Sequence, residues 1–414
     1  VKIFALAFAM GVVSGVVMSY QFGTNWSVFA DKTGSVMGPL LGYEVLTAFF
    51  LEATFLGVML FGWNKVGRKL HFVATCAVAI GTSLSAFWIL AANSWKQTPA
   101  GFALDPETGT FYATDWLAVI FNPSFPSRYV HMMLAAFITT AAVVLAAGAW
   151  QMLRGRCSEP TRWQTRMAVG TLAALMPLQV WAGHWSGEVA HEHQPAKIAV
   201  MEGWCETKDV QGTVLVAWPA KNDCGHEGIT IPNTSPMLFA SAEGELKGID
   251  AFAEDERPPF WIVFWSFRFM VGAGLILLGL AFWGVWNWWR GIIDTPGLFH
   301  WLAVPSGSLG FIAVLTGWIT AEVGRQPWTV YGHLTTAESV APVSAGQVAT
   351  SLLVFMVVYA IVFTAGAIYM ARIATRGFED DETGPPADSR RAPGSPLGSV
   401  DEPAKVPGDI VAAE

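Results

Sequence analysis

Charged residues are scarce in this sequence. Only 14% of its 414 residues are Asp, Glu, Lys or Arg, whereas 53% are hydrophobic. Soluble globular domains carry roughly 25% charged residues, so the composition excludes an ordinary soluble protein. The sequence also has no cluster of Lys and Arg of the kind that binds nucleic acid, and no Gly-rich phosphate-binding loop. Nucleic acid is therefore not predicted as a partner.

Cysteine is scarce as well, with four residues in the chain. Cys205 and Cys224 share one long polar loop, which we expect to face an oxidising compartment. Their spacing is compatible with a disulfide but cannot establish one. Cys76 falls in an apolar stretch and Cys157 in a short basic loop.

Long apolar runs dominate what is present. Crossing a bilayer takes about 20 helical residues, and lipid satisfies no backbone hydrogen bonds, so helix is the expected conformation of each run. The 20 Trp and 27 Phe fit the aromatic belts of membrane proteins. The sequence predicts an all-α fold, a polytopic membrane helix bundle of about eight spans. Their approximate bounds are 2–22, 39–62, 71–93, 129–152, 166–186, 259–287, 299–321 and 347–371.

Basic residues in the loops predict the orientation, because cytoplasmic loops are enriched in Lys and Arg. Residues 187–258 then form an outward loop that is long enough to be functional. Residues 377–414 are rich in Asp, Glu, Pro, Gly and Ser, which predicts a disordered cytoplasmic tail. The basic residues on the predicted cytoplasmic side are Lys65, Arg68, Lys69, Arg154, Arg156, Arg162, Arg166, Arg290, Arg372 and Arg376.

Two carboxylates lie inside one predicted span. Glu44 and Glu52 are eight residues apart, or about 12 Å along a helix axis. Charged groups are costly at membrane depth, so both should face the bundle interior, where they could form a proton relay. The alternative is one buried, hydrogen-bonded carboxyl and one interfacial carboxyl.

A third carboxylate, Glu322, lies at the end of another predicted span. The surrounding sequence is Gly317-Trp-Ile-Thr-Ala-Glu-Val-Gly-Arg-Gln-Pro-Trp328. Glu322 and Arg325 at i, i+3 share one helix face with Trp318, and Pro327 ends the helix. Ionisable residues at this depth predict a functional site. The alternative is an interfacial ion pair at a helix end.

His131 and Met270 are further candidates. His131 begins an otherwise apolar span, and Met270 lies inside another, two residues after Arg268. Most Met residues in apolar helices only pack. The buried Arg, however, requires an anion. Imidazole and thioether together suit a low-spin haem iron, whose propionates would supply that anion.

These motifs together resemble subunit I of the cytochrome bd quinol oxidases, over roughly residues 1–376. The matching segments are G-W-x-x-x-E-x-G-R-Q-P-W, Gln21-Phe-Gly-Thr-Asn-Trp26, Arg128-Tyr-Val-His131 and Phe267-Arg-Phe-Met270. The resemblance implies a membrane haem-binding bundle over residues 1–376, with haems between its helices, in a bacterial cytoplasmic membrane.

The same resemblance implies the haem ligands. His131 and Met270 would ligate a low-spin haem b, with Arg268 beside it. Glu322 would be the axial ligand of a high-spin haem b, flanked by Trp318 and Arg325. A third haem, either d or a further b, would complete a high-spin pair.

In the family the first glutamate of the paired helix lies at the high-spin pair and the second lies on the proton route. This assigns Glu44 and Glu52, respectively. The outward loop resembles the short version of the quinol-binding loop, where Lys247 and Asp250 are our candidates for orienting quinol and accepting its protons. The alternative is a solvated charged loop.

The implied function is oxidation of quinol at the outer face and reduction of oxygen to water, which generates membrane potential without pumping. A second membrane subunit is expected, and a small single-span subunit is left open. Two other classes remain. A haem b electron-transfer protein would leave Glu44 and Glu322 unexplained, and a proton-coupled transporter would leave Arg268 and Met270 unexplained.

The sequence departs from the family at its start. Family members have nine spans, and a His on the first ligates a high-spin haem, but no such helix precedes Val1. We expect either a preceding segment of about 50 residues, enough for one span and a turn, or Glu44 as the second high-spin ligand.

Overall fold

The computed structural model describes residues 2–219, Cys224, 226–239 and 245–376. Val1 and the predicted tail, residues 377–414, lie outside the described residues. The long helices are α1 (Lys2–Thr24), α2 (Ser27–Tyr43), α3 (Phe50–Phe61), α4 (Arg68–Gln97), α6 (Phe125–Leu153), α7 (Glu159–His193), α10 (Phe260–Trp289), α11 (Leu298–Val323) and α13 (Ala345–Arg376). The short helices are α5 (Trp116–Ile120), α8 (Pro195–Glu202), α9 (Ser235–Leu238) and α12 (Thr336–Ser339).

The predicted all-α membrane bundle is confirmed. Seven helical segments of the described chain are long and apolar enough to cross a membrane, and α2 and α3 form one of them. The eighth predicted span, 166–186, lies within α7, which is 35 residues long but is not among the seven. Polar side chains along α7, such as Arg166, Gln179 and His184, lower its hydropathy.

The chain divides into two compact units. The first is Gly42–Ser85, which holds α3 and the first part of α4. Within it, Glu44–Phe49 forms a π-helical turn between α2 and α3. The separation of about 12 Å predicted for Glu44 and Glu52 assumed an unbroken α-helix, which this turn interrupts. Such turns are rare in proteins, and those that do occur often lie at functional sites.

The second unit comprises Lys2–Leu41 and residues 86–376. Its centre is a bundle of α6, α7, α10 and α11, whose facing side chains form a continuous apolar core. Small residues allow the close approach of these helices. The largest side chains that are fully buried in this core are Leu145, Leu172, Met176, Leu277 and Ile293.

The long loop has its own structure. After α7 ends, α8 follows directly, and Gly203 with φ of 80° ends α8 in the left-handed conformation that favours glycine. Strands β3 (Thr213–Pro219) and β4 (His226–Ile231) form an antiparallel hairpin. Cys205 and Cys224 are joined in a disulfide, which settles the pairing that spacing alone left open.

Two further hairpins cover the ends of α4 and α11. Strands β1 (Phe102–Leu104) and β2 (Phe111–Ala113) form one, and β5 (Trp328–Val330) with β6 (Leu334–Thr335) forms the other. Trp95 of α4 is fully buried among their apolar side chains. This cluster fixes the last turn of α4, which carries residues of the site described next.

Candidate functional site

Glu322 lies in the last turn of α11, and its two carboxylate oxygens have different partners. Arg325 Nη2 donates to Oε2 at 2.6 Å, so the pair predicted from the i, i+3 spacing is formed. On α4, Asn93 Nδ2 donates to Oε1 at 3.0 Å and Gln97 Nε2 donates to Oε1 at 3.3 Å. Arg128 Nη2 of α6 lies 3.9 Å from Oε1.

Arg128 is itself fixed by α4. Its Nη2 donates to Asn93 Oδ1 at 2.6 Å and its Nη1 donates to Ser94 Oγ at 3.0 Å. The Arg128 Cζ lies 5.8 Å from the Trp318 ring centroid, a cation–π distance. The structure therefore brings the predicted residues Glu322, Arg325 and Trp318 together with Arg128.

Positive charge exceeds negative charge around Glu322. Arg325, Arg128, Lys96 and Lys197 all interact electrostatically with this one carboxylate. Among the described residues, the buried Arg325 Nε has no hydrogen-bond partner. Buried charges are normally paired. A site with surplus cations and an orphaned guanidinium N–H fits an anionic group such as the propionates of a haem.

Lys197 was not predicted as a site residue. It lies on α8, is only 7% exposed, and donates from Nζ to Gln97 Oε1 at 2.8 Å. Burial lowers the pKa of the Lys197 ammonium well below its usual value. A Cβ on Gly324 would lie 2.9 Å from Lys197 Cγ, so glycine there lets α8 approach the end of α11.

His131 lies near the start of α6 and faces α7. Its Nε2 is 3.4 Å from Gln179 Nε2, and its Nδ1 is buried without a hydrogen-bond partner in the described chain. A Cβ on Gly183 of α7 would lie 3.3 Å from His131 Cε1. The glycine therefore leaves room at the imidazole.

Met270 on α10 has a similar setting. A Cβ on Gly317 of α11 would lie 2.9 Å from Met270 Sδ, closer than real contacts allow. His131 and Met270 thus both pack on glycines of the same four-helix bundle. An imidazole with an unpartnered nitrogen in the described chain and a thioether against glycine fit the ligand set of a low-spin haem.

Arg268 has protein partners in the structure. Its guanidinium donates to the carbonyl oxygens of Met201, Glu202 and Val214, with Nε to Val214 O at 3.0 Å. It also stacks on Phe264, with Cζ 3.7 Å from the ring centroid. Arg268 therefore ties the end of α8 and strand β3 to α10. Its contact with a haem propionate remains a prediction.

In the first unit, Glu44 and Glu52 both have hydroxyl partners on α4. Ser85 Oγ donates to Glu44 Oε1 at 2.7 Å, and the Thr82 hydroxyl lies within hydrogen-bonding reach of Glu52. Glu52 is buried, and a Cβ on Gly81 would lie 2.7 Å from its Cγ. Both glutamates thus face α4, as expected for carboxylates inside a span.

The two loop candidates lie at the surface. Lys247 and Asp250 are both exposed. The Thr207 hydroxyl donates to Asp250 Oδ1 at 2.8 Å, and this bond lowers the pKa of the Asp250 carboxyl, which makes it a weaker proton acceptor. A quinol role for either residue remains a prediction.

A buried carboxyl in the same loop was missed. Glu202, at the end of α8, is 5% exposed, and its Oε2 has no hydrogen-bond partner among the described residues. Burial raises the pKa of the Glu202 carboxyl, although Arg268 and Thr213 oppose the shift. Sequence alone gave no signal for it, because loop residues have no periodicity from which burial can be inferred.

Comparison with known proteins gives a consistent result. The family model for cytochrome bd terminal oxidase subunit I matches residues 1–378. Cytochrome bd ubiquinol oxidase subunit 1 of Bacillus subtilis (strain 168) is 35% identical, over 92% of this chain and 83% of that protein. Cytochrome bd-II ubiquinol oxidase subunit 1 of Escherichia coli (strain K12) is 31% identical, over 91% of this chain and 86% of that protein.

A solved structure agrees with these matches. The bd oxidase from Geobacillus thermodenitrificans superposes on this chain with a TM-score of 0.82 at 31% sequence identity. The match covers 91% of this chain and 87% of the solved chain. The matches span nearly the whole chain and include the motifs that carry the site. The chain therefore belongs to the cytochrome bd terminal oxidase subunit I family.

Proposed function

We propose that this protein is the haem-bearing subunit of a bd-type terminal oxidase, which oxidises quinol at the outer face of a bacterial cytoplasmic membrane and reduces oxygen to water. The observation that carries the proposal is the Glu322 site. There a half-buried carboxylate accepts hydrogen bonds from α4 and from Arg325 after α11, with Arg128 of α6 at salt-bridge distance and cations in excess. This arrangement suits a carboxylate-ligated haem better than a simple structural ion pair.

His131 and Met270 would hold a low-spin haem b, and Glu322 would hold a high-spin haem b. A third haem, d or b, would complete the set. When bound, the haems supply one-electron transfer from quinol and an open coordination position for oxygen. Arg325, with its orphaned Nε, would bind a propionate of the Glu322 haem.

The protein's own residues handle the protons of quinol. Each quinol releases two protons on oxidation, so its site needs a base whose pKa is high enough to take up and hold a proton. Glu202 is the better-placed candidate, because burial raises the pKa of its carboxyl. Its orphaned Oε2 would accept a hydrogen bond from a quinol hydroxyl. Lys247 and Asp250, being exposed, would act at the entrance of the same loop.

Glu52 and Glu44 would carry protons from the cytoplasm for oxygen reduction. A carboxyl can release one proton and take up another, and the hydroxyls of Thr82 and Ser85 beside the two glutamates can relay protons between them. Electrons and protons then enter from opposite sides of the membrane. This separation generates membrane potential without a pump.

A second membrane subunit is part of the proposal. Helices α1 and α13 touch each other where Met10 meets Gly366, and these are the only residues that each helix buries in the described chain. Their remaining apolar side chains are available to another helical subunit. Residues 1–376 would form the haem-binding part of the complex, with 187–258 as the quinol-binding loop.

Reduced-minus-oxidised spectra of the purified complex, with quinol-dependent oxygen uptake, test the proposal. We expect low-spin and high-spin bands from several haems and oxygen uptake driven by quinol. A single low-spin haem without oxygen uptake would indicate an electron-transfer protein instead. A haem-free protein would indicate a proton-coupled transporter.

A further inference from the structure

Gln97 is the point where three parts of the second unit meet. It is the last residue of α4 and is 2% exposed. Its Oε1 accepts from Lys197 Nζ of α8 at 2.8 Å and from Gln194 Nε2 at 3.1 Å. Its Nε2 donates to Glu322 Oε1 and to the Ala321 carbonyl oxygen, both at 3.3 Å.

The chemistry of the partners fixes the direction of the Gln97 amide. An ammonium only donates and a carboxylate only accepts, so the amide oxygen must face Lys197 and the amide nitrogen must face Glu322. A flipped amide would set N–H groups against the ammonium and an oxygen against the carboxylate. The chain of hydrogen bonds from Lys197 to Glu322 therefore has one orientation.

Lys197 depends on this amide. Across the described parts of the chain, no carboxylate lies within salt-bridge distance of its Nζ. A buried ammonium without a carboxylate polarises the acceptor it does have, and polarised amides donate more strongly at their other end. A shift of the Lys197 ammonium therefore changes the strength of the hydrogen bond that Gln97 Nε2 donates to Glu322.

We propose that Gln97 is a positioning residue that couples the outward loop to the Glu322 carboxylate, so that occupancy of the quinol site alters the haem that Glu322 ligates. The inference rests on the proposed function, because it takes α8 as part of the quinol site and Glu322 as the ligand. Coupling between two sites is reciprocal, so the state of the Glu322 haem also alters quinone affinity. The rate of electron delivery from quinol and the rate of oxygen reduction would then be coupled through the Gln97 side chain.

Gln97→Met tests the coupling, because methionine keeps the length and approximate volume of glutamine and removes both its donor and its acceptor. Oxidised decylubiquinone and menadione are the probes, added to the fully oxidised complex so that no electrons are transferred. In the unsubstituted complex we expect quinone to shift the absorption of the high-spin haem. In Gln97→Met we expect that shift to be lost, while haem content and the low-spin band stay normal.

Gln151→Met is the matched control. Gln151 is 3% exposed and also bridges helices, with Nε2 to Ala374 O at 2.8 Å and Thr161 Oγ1 to Oε1 at 2.9 Å. It lies outside the site, so the quinone-induced shift should persist. An undiminished shift in Gln97→Met overturns the coupling, as does the absence of any shift in an active, haem-replete unsubstituted complex. Missing haems or missing quinol oxidase activity in that complex would instead refute the proposed function.

Lys197→Met keeps the inference testable if Gln97→Met does not assemble. This variant removes the hydrogen bond between residue 197 and Gln97, and it leaves the hydrogen bond from Gln97 to Glu322 in place. Without any quinone present, we expect the midpoint potential and absorption of the high-spin haem to change, since the polarising charge is gone. Values equal to those of the unsubstituted complex would also overturn the coupling.

Discussion

At the scale of single residues, Glu322 combines a carboxylate with several donors that no short segment could supply. Arg325 comes from the adjacent turn, whereas Asn93 and Gln97 come from a helix more than 220 residues earlier. Each donor fixes one oxygen, so the carboxylate cannot rotate freely. A ligand held in this way is preorganised for a metal centre.

Replacing Glu322 by Gln should remove the high-spin haem that we propose it holds. The change also leaves the buried Arg325 without its counter-charge, which destabilises the fold because a buried charge is costly when it is unpaired. We expect loss of high-spin haem from the spectrum and a lower thermal midpoint of the complex. Glu192→Gln, at a carboxylate that is 77% exposed, should change neither. A full high-spin haem content in Glu322→Gln would assign the ligand elsewhere.

The low-spin haem should depend on two side chains from different helices. His131→Ala should abolish the low-spin band and quinol oxidase activity together, because the iron loses an axial ligand on the electron path. Met270→Leu should convert that haem to high spin, since leucine fills the space but cannot ligate. Optical spectra at equal protein concentration measure both. If each variant keeps a normal low-spin band, His131 and Met270 are not the ligands.

Glu52→Gln should slow oxygen reduction without loss of haem. The amide fills the same buried space beside Gly81 but cannot carry a proton. Positioned proton transfer contributes about 10²-fold or more to rates, and we expect a decrease of that order in oxygen uptake. Glu159→Gln, at an exposed position in the first turn of α7, is the control. Unchanged turnover in Glu52→Gln would exclude this residue from the proton route.

At the scale of the helices, glycines decide where the bundle can accommodate ligands. Gly183 and Gly317 face His131 and Met270, whereas Gly272 and Gly279 of α10 have open space around them. The difference is invisible in the sequence, where all four stand in similar apolar runs. It follows from which faces of α7, α10 and α11 pack together.

Gly317→Ala should therefore perturb the low-spin haem although it changes no ligand. Its new methyl group would lie 2.9 Å from Met270 Sδ, so the flexible methionine must move. We expect a weaker or shifted low-spin band and a changed midpoint potential of that haem. Gly279→Ala on α10 adds the same methyl group where nothing lies within 4 Å, and should leave both unchanged. Identical spectra for the two variants would contradict the packing described here.

The elements were largely predictable, and the contacts between them were not. Apolar runs placed most of the membrane helices to within several residues, because burial in lipid requires about 20 apolar residues in succession. The exception is the segment predicted to begin at residue 39, which begins at Ser27. The Glu322–Arg325 pair followed from helix geometry alone. Gln97, Lys197 and Glu202 could not be found this way, because their roles depend on how α8 folds back against α4, α10 and α11.

At the scale of the whole molecule, the direction of the chain across the membrane determines the function. In the proposed function, quinol is oxidised on the side of residues 187–258 and protons enter from the opposite side. The disulfide between Cys205 and Cys224 supports placement of this loop in an oxidising compartment, since cytoplasmic proteins rarely keep disulfides. The basic loops, which include Lys65 and Arg156, indicate the cytoplasmic side.

Cysteine labelling tests this orientation directly. Cys76 and Cys157 are the free cysteines of the described chain, so replacing both by Ser gives a background in which only an introduced thiol reacts. Met237→Cys, at a residue of the outward loop that is 78% exposed, should react with a membrane-impermeant maleimide in intact cells. Lys65→Cys, which is also exposed, should react only after the membrane is opened. The reverse pattern would place quinol oxidation on the cytoplasmic side, and the opposite entry of electrons and protons would then generate a membrane potential of the wrong sign.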